Sequence, residues 1–331
     1  MKIRIITPVE KNSNRGNEIT ALRWEGILRT LGHQVGVSHG RTCSDRLDLL
    51  IAIHATRCHP FLRGYRDLFP QAPVVVCLSG TDLHGALERP GDSCGMDSDD
   101  NGRRRERTLE SLAIADRIVL LEPEGQKKVP DEFQSKCRVV FQSAAEVENR
   151  QTPPSDRFQV SVIGHLREVK DPFRTAMAAR QLPSHSRVSI LHVGAALNAE
   201  MKEAAMRESV SNRFYTWLGK KSHRETMEIL TSSHLTVLSS FHEGAPSVIS
   251  EAVMNRVPLL SSRMDASIGL LGSDYPGLFE AGNTVVLAAL LERCEFQPDF
   301  LSDLVKAVEN RRKWFSRDHE MDCFRSLLSE F

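Results

Sequence analysis

Apolar and charged residues alternate from the first position, in Lys2-Ile3-Arg4-Ile5-Ile6-Thr7, and predict a strand over 3–9. The spacing then lengthens. Ala21, Leu22, Trp24, Ile27, Leu28 and Leu31 recur at helical intervals as far as Gly32, so a helix is expected over 21–31. Apolar runs at 34–37, 47–53, 74–78 and 117–121 read as further strands separated by helical or turn-forming stretches, with a helix over 107–115. The second half repeats the scheme, with strands at 159–163, 187–193, 214–218, 235–238 and 257–261 and helical spacing across 300–331. Alternation of this kind is the mark of α/β folding with parallel sheets. At 331 residues the chain exceeds one core of usual size, so two Rossmann-like domains of about 150 residues each are expected. Asn149-Arg150-Gln151-Thr152-Pro153-Pro154-Ser155-Asp156 is the most linker-like segment. The expected division is therefore 1–150, 157–300 and a helical tail, 301–331.

Ligands of such sheets collect at the carboxyl ends of strands, where the loops starting at Pro8, His54 and Ser79 should converge. Between 88 and 107 the chain turns strongly charged, with Asp92, Asp97, Asp99 and Asp100 followed by Arg103, Arg104, Arg105 and Arg107. A solvated loop leading into the next helix and a lid over the crevice are both open readings. Formal net charge is zero and no long basic tract occurs, which argues against nucleic acid as a partner. The first residues lack the apolar core of a secretion signal, and no run of eighteen apolar residues follows, so a cytoplasmic protein without stable membrane association is expected. Cys43, Cys58, Cys77, Cys94, Cys137, Cys294 and Cys323 have no metal-ligand spacing and read as reduced, with Cys58 and Cys77 near the expected crevice. No Gly-x-Gly-x-x-Gly follows the opening strand, which disfavours a dinucleotide enzyme. Oligomeric state leaves no trace in the sequence.

The chemistry is concentrated in Phe241-His242-Glu243-Gly244-Ala245-Pro246-Ser247-Val248-Ile249-Ser250-Glu251-Ala252. A β-rich run precedes it, Gly244 and Pro246 mark a loop, and Ser247 is the expected N-cap of a helix over 248–255. Amides at such a helix start attract a diphosphate, while Glu243 and Glu251 can accept hydrogen bonds from sugar hydroxyls. A second stretch, Val162-Ile163-Gly164-His165-Leu166-Arg167-Glu168-Val169-Lys170-Asp171-Pro172-Phe173, sets the planar fork of Arg167 close to the compact charge of Lys170. Such a pair neutralises a leaving diphosphate; a solvated basic turn is the plainer reading.

The two stretches together resemble the signature of GT-B glycosyltransferases, the family of sucrose and trehalose synthases and many bacterial cell-wall enzymes, in which two glutamates are separated by seven residues. The resemblance implies two Rossmann-like domains facing a cleft, a C-terminal helix crossing back to the first domain, and a UDP-sugar held by the second domain without cofactor or metal. By that resemblance Arg167 and Lys170 carry the catalytic stabilisation of UDP. Gly16 touches the diphosphate, Leu218, Gly219 and Lys221 lie at the base, and Glu243, Gly244, Ala245, Pro246, Ser247, Val248 and Glu251 line the rest of the donor site. Trp217 either stacks on the base or belongs to the core.

The first half carries Arg15-Gly16-Asn17-Glu18-Ile19-Thr20-Ala21-Leu22-Arg23-Trp24, His54-Ala55-Thr56-Arg57-Cys58-His59 and Leu78-Ser79-Gly80-Thr81-Asp82-Leu83-His84. These look like the selenosugar synthases of selenoneine biosynthesis. That narrower resemblance implies carbon–selenium bond formation between a UDP-sugar, UDP-N-acetylglucosamine favoured, and selenophosphate, giving a selenosugar, UDP and phosphate. A small polyanion needs cations and N–H donors, which Arg15, Arg57 and the Gly16 backbone would supply. Asn17, Thr20, Thr81 and Asp82 complete the expected acceptor set. His54, Asp82 and His84 are candidate acid, base or orienting groups, with a structural role equally open, and Asp82 in particular suits a turn cap. Aromatic residues make up 6% of the chain, which sits poorly with an extended glycan groove. Transfer to a hydroxyl acceptor, and an inactive nucleotide-sugar-binding protein, are the alternatives.

Overall fold

The computed structural model describes residues 1–11, 16–40, 45–87 and 98–331. Arg15, Cys43, Cys94 and the 88–97 part of the charged stretch lie outside the described residues. The chain divides into two compact units, Met1–Gln142 with Asp318–Phe331, and Ser143–Arg317.

In the first unit, six parallel strands run in the order β2-β1-β3-β4-β5-β6: β1 (Lys2–Thr7), β2 (Gln34–His39), β3 (Leu49–Ile53), β4 (Val74–Leu78), β5 (Arg117–Leu120) and β6 (Cys137–Val139). Helices α1 (Gly16–Thr30), α2 (Ala55–Leu68), α3 (Ser98–Ile114) and α4 (Asp131–Gln134) connect them. Every residue of β3 and β4 is buried, as expected of central parallel strands covered on both faces. The Tyr65 hydroxyl on α2 accepts the Leu47 N–H at 3.0 Å, satisfying a polar group that this apolar layer would otherwise strand.

The second unit has the order β12-β11-β10-β7-β8-β9, again all parallel: β7 (Phe158–Ile163), β8 (Val188–Val193), β9 (Tyr215–Gly219), β10 (Leu235–Leu238), β11 (Leu259–Ser262) and β12 (Leu278–Phe279). Its helices are α5 (Arg174–Ala179), α6 (Ala199–Ser211), α7 (His223–Thr231), α8 (Ser247–Met254), α9 (Asp265–Leu271), α10 (Thr284–Phe296) and α11 (Pro298–Arg311). The last helix, α12 (Arg317–Leu328), belongs almost wholly to the first unit. There Trp24 of α1 meets Phe324 edge-on at 5.1 Å and donates its indole N–H to the buried Glu320 at 2.9 Å. Beyond the helix, Glu330 takes Arg138 through two bonds of 2.6 and 2.7 Å and pairs also with Arg117. The bonds from Arg138 lead in holding the Glu330 carboxyl at about 2.

Several elements differ from the sequence pattern. The opening strand stops at Thr7, and α1 begins at Gly16 rather than 21. The arginines from 103 to 107 lie on α3, which starts at Ser98, where Arg104 pairs with Asp100 one turn back and Arg105 donates to the Leu87 carbonyl at 3.0 Å. The edge strands β6 and β12 are too short to show a period. The unit boundary falls before the proline-rich segment because 144–147 is already tied into the second unit. Ala144 donates to the Phe315 carbonyl at 3.1 Å, Val147 to Asn255 Oδ1 at 2.8 Å, and Glu146 pairs with Arg312. No helix among the described residues is long and apolar enough to cross a membrane.

Candidate active site

In the second unit the strand order reverses between β7 and β10, so the loops leaving these neighbours part to opposite sides and open a crevice at their carboxyl ends. Both sequence motifs sit there. The Phe241 N–H bonds the Val169 carbonyl at 2.8 Å, and the Ser239 hydroxyl donates to the carbonyls of Lys170 and Asp171 at 3.2 and 2.9 Å. Lys170 closes a short helical turn, Glu168–Lys170, and Asp171 reverses the chain at φ 44° while gripping Arg174 at 2.6 Å. With the backbones fixed this way, the Lys170 ammonium forms an ion pair with Glu243, whose Oε1 also accepts the Ser240 hydroxyl at 2.8 Å. Arg167 is exposed and makes no ion pair among the described residues. His165 reports the local field: burial, then the charges of Lys170, Lys220 and Arg167, push its imidazole below the ordinary value.

Helix α8 opens without a side-chain cap. Pro246, at φ −69° and ψ 119°, is the residue before the first turn, and Ser247 is its exposed first member, so the expected Ser247 cap is corrected to an uncapped start. A proline at that position has fixed φ and sets the turn by itself, leaving first-turn N–H groups to an outside acceptor. Gly244 and Ala245 precede it, half-buried; Val248 is buried, and Glu251 lies one turn beyond Ser247 on the same face.

The β8 and β9 ends brace this region. A Cβ on Gly194 would stand 1.9 Å from the Gly164 carbonyl, so only glycine lets the two loops cross. The Trp217 indole N–H donates to the Gly194 carbonyl at 2.9 Å, which makes Trp217 a scaffold residue rather than a free stacking plate. Buried His192 bridges Tyr215 Oη (2.8 Å) and the Gly164 carbonyl (3.1 Å), and burial lowers it to about 4 despite that carbonyl. Leu218 and Gly219 are half-buried beside it, and Lys221 pairs with Glu225 at 3.7 Å.

In the first unit the order reverses between β1 and β3. His54, just past β3, has φ 85° and caps α2 by accepting the Arg57 N–H at 3.4 Å. A non-glycine residue held at such an angle is strained and needs its surroundings to enforce it. Asp82 does so. Its carboxylate, fully buried, accepts the Ala55 N–H at 2.8 Å and the N–H groups of Ser79 and Gly80 at 3.0 and 2.9 Å, joining the ends of β3 and β4. The expected acid, base or acceptor role of Asp82 is thereby corrected to that of an anchor. Thr20 is corrected likewise, being buried and bonded to Gln142 at 2.9 Å. His54 Nε2 lies 2.9 Å from the exposed Thr81 hydroxyl, and burial pushes the imidazole below its usual range against the pull of Asp82. His84 Nδ1 is 3.0 Å from Lys128 Nζ. Arg57 and Gly16 are exposed and Asn17 half-buried. Cys58 and Cys77 are buried thiols raised far above their ordinary value by desolvation, so neither is poised to react.

The largest depression of the first unit, about 570 Å³, lies instead on the flanks of α2 and α3, between His59, Arg63, Arg107 and Glu110, and holds none of these groups. Among the described residues no group of three or more His, Cys, Asp or Glu is placed to hold a metal. Sequence reasoning missed Ser239, Ser240, His192 and Gly194; the serine pair at the end of β10 was the available signal.

Fold and crevice are those of a nucleotide-sugar transferase with the GT-B fold. Residues 143–311 match the family model of glycosyl transferases group 1, and the chain belongs to that family. Among solved structures it is similar to Alr3699/HepE of Anabaena in complex with UDP and glucose, at 15% identity and a TM-score of 0.76, with 100% of both chains covered. It is also similar to sucrose-phosphate synthase of Thermosynechococcus elongatus (14%, TM-score 0.77, 100% of both chains). The UDP-forming α,α-trehalose-phosphate synthase of Burkholderia vietnamiensis gives 11% identity and a TM-score of 0.70 over 100% of this chain and 99% of that one. The sequence matches no curated protein.

Proposed function

We propose that this glycosyltransferase joins the anomeric carbon of a UDP-sugar, UDP-N-acetylglucosamine, to the selenium of selenophosphate. The selenium lone pair forms the new bond while the anomeric carbon–oxygen bond breaks, its electron pair leaving with UDP. Water then attacks phosphorus, the selenium–phosphorus pair stays with selenium, and phosphate departs. The donor half rests on one observation above all: Arg167, Lys170, Glu243 and the uncapped start of α8 gather at the carboxyl ends of β7 and β10. Cations and helix amides in that position stabilise charge that grows on the diphosphate as the bond breaks. HepE, whose structure contains UDP and glucose, supports a UDP-sugar as donor. Glu251 is assigned to the ribose and Leu218 and Gly219 to the base.

For the acceptor, the reading rests on exposed Arg57 in the first turn of α2, beside the Thr81 hydroxyl held by His54. A helix start with an arginine attracts a small anion. Arg15, Asn17 and Gly16 are assigned to the same anion. Deprotonated selenium is already a strong nucleophile, so the residues need only place it. Transfer to a sugar hydroxyl is the second reading, favoured by structural neighbours that are sugar-phosphate synthases. Mass spectrometry of products from purified protein given UDP-N-acetylglucosamine, with and without selenophosphate, separates the two. A selenium-bearing hexosamine formed only with selenophosphate is expected; transfer solely to a sugar hydroxyl removes the selenosugar reading.

A further inference from the structure

Lys170 and Glu243, both assigned above to the donor, are bonded to each other in the ligand-free chain, and this rests on that assignment. Among the described residues Lys170 pairs with no other anion. The side chains keep 24% and 16% of their exposure, so the pair is partly desolvated, and the Phe241–Val169 and Ser239–Asp171 bonds fix both backbones within reach. A diphosphate entering the crevice meets a cation that is already occupied and a carboxylate that repels it. For Lys170 to turn to phosphate, Glu243 must give up its ammonium and keep only the Ser240 hydroxyl. A half-buried carboxylate deprived of its partner is costly.

We infer that Lys170 and Glu243 form a partner-exchange device that distinguishes the intact nucleoside-diphosphate sugar from the spent nucleoside diphosphate. With the intact donor, sugar hydroxyls replace the ammonium on Glu243 while phosphate takes Lys170, so both ions stay satisfied. With UDP alone nothing replaces it. The carboxylate then pulls Lys170 back and expels the product, which makes Glu243 a specificity-determining residue acting against UDP as well as for the sugar.

Calorimetric titration of UDP and of UDP-N-acetylglucosamine into the full chain tests this. Glu243→Gln keeps the shape and hydrogen-bonding capacity but removes the competing charge. It should bind UDP roughly tenfold more tightly than the unaltered protein while losing most of its preference for UDP-sugar over UDP. Glu243→Ala should shift UDP affinity in the same sense. If the unaltered protein binds UDP, Lys170→Ala weakens it, and neither Glu243 variant binds UDP more tightly, the exchange is overturned and the donor assignment stands. If the unaltered protein does not bind UDP, or Lys170→Ala binds it equally well, the donor assignment falls and the exchange with it.

Discussion

The crevice loops of the second unit and those of the first are built on the same topological rule, yet they use their polar residues in opposite ways. In the second unit Arg167, Ser247 and the ion pair of Lys170 with Glu243 remain at least partly accessible, held by backbone bonds that involve their neighbours. In the first unit Asp82 and Thr20 are turned inward and their acceptors are occupied, leaving Arg57 and Thr81 exposed at the strand ends. A polar residue at the end of a parallel strand is therefore not a site residue by position alone. Whether its hydrogen bonds are already made decides.

The contrast breaks most readily at Arg167. Because it makes no ion pair among the described residues, Arg167→Ala should leave the melting temperature within about 1 °C, as surface changes do. Turnover should still fall by two to three orders of magnitude if the guanidinium stabilises the departing diphosphate. Initial rates of UDP release, read beside thermal denaturation, check both. Turnover within about threefold of the unaltered protein would take Arg167 out of the chemistry.

Asp82 should behave in the reverse manner. Asp82→Ala leaves three backbone N–H groups without their acceptor and removes the brace on strained His54, a loss of about 3 kcal/mol. Urea unfolding should show it, while UDP affinity stays unchanged. Asp82→Asn sharpens the test, since its amide oxygen keeps part of the bonding. Stability retained with turnover abolished would return Asp82 to chemistry.

The same contrast explains what the sequence disclosed. Alternating periods exposed both sheets, because central parallel strands must be apolar throughout, as in β3 and β4. The edge strands β6 and β12 escaped, being only half-buried and short. Glu243 and Lys170 were legible as residues of one crevice, since each motif is contiguous and flanks a strand end. Their bond to each other was not, because it joins loops separated by 73 positions. Asp82 was ambiguous for a physical reason: an aspartate with glycine two residues before it suits both a turn cap and an acid–base role, and only the three N–H donors around it choose. Gly194 gave no local sign at all, since its constraint is the Gly164 carbonyl on another strand.

The smallest expected effect is also the one that tests the acceptor half most directly. Arg57 is exposed, and its backbone N–H already serves the α2 cap, so Arg57→Ala should keep the helix and its stability while removing one guanidinium from the crevice. If that group holds a small selenium-bearing anion, the selenophosphate concentration for half-maximal rate should rise about tenfold, the worth of one charge-assisted contact of roughly 1.4 kcal/mol. UDP affinity should stay within about twofold, because the groups assigned to UDP lie in the second unit. Inorganic phosphate and thiophosphate should compete with selenophosphate in the unaltered protein and compete less in the variant. Steady-state kinetics with each anion measures all three quantities. An unchanged selenophosphate requirement together with unchanged phosphate competition would show that Arg57, like Asp82, is not part of the acceptor site, and would move the search for the anion's ligands to the loop after β1.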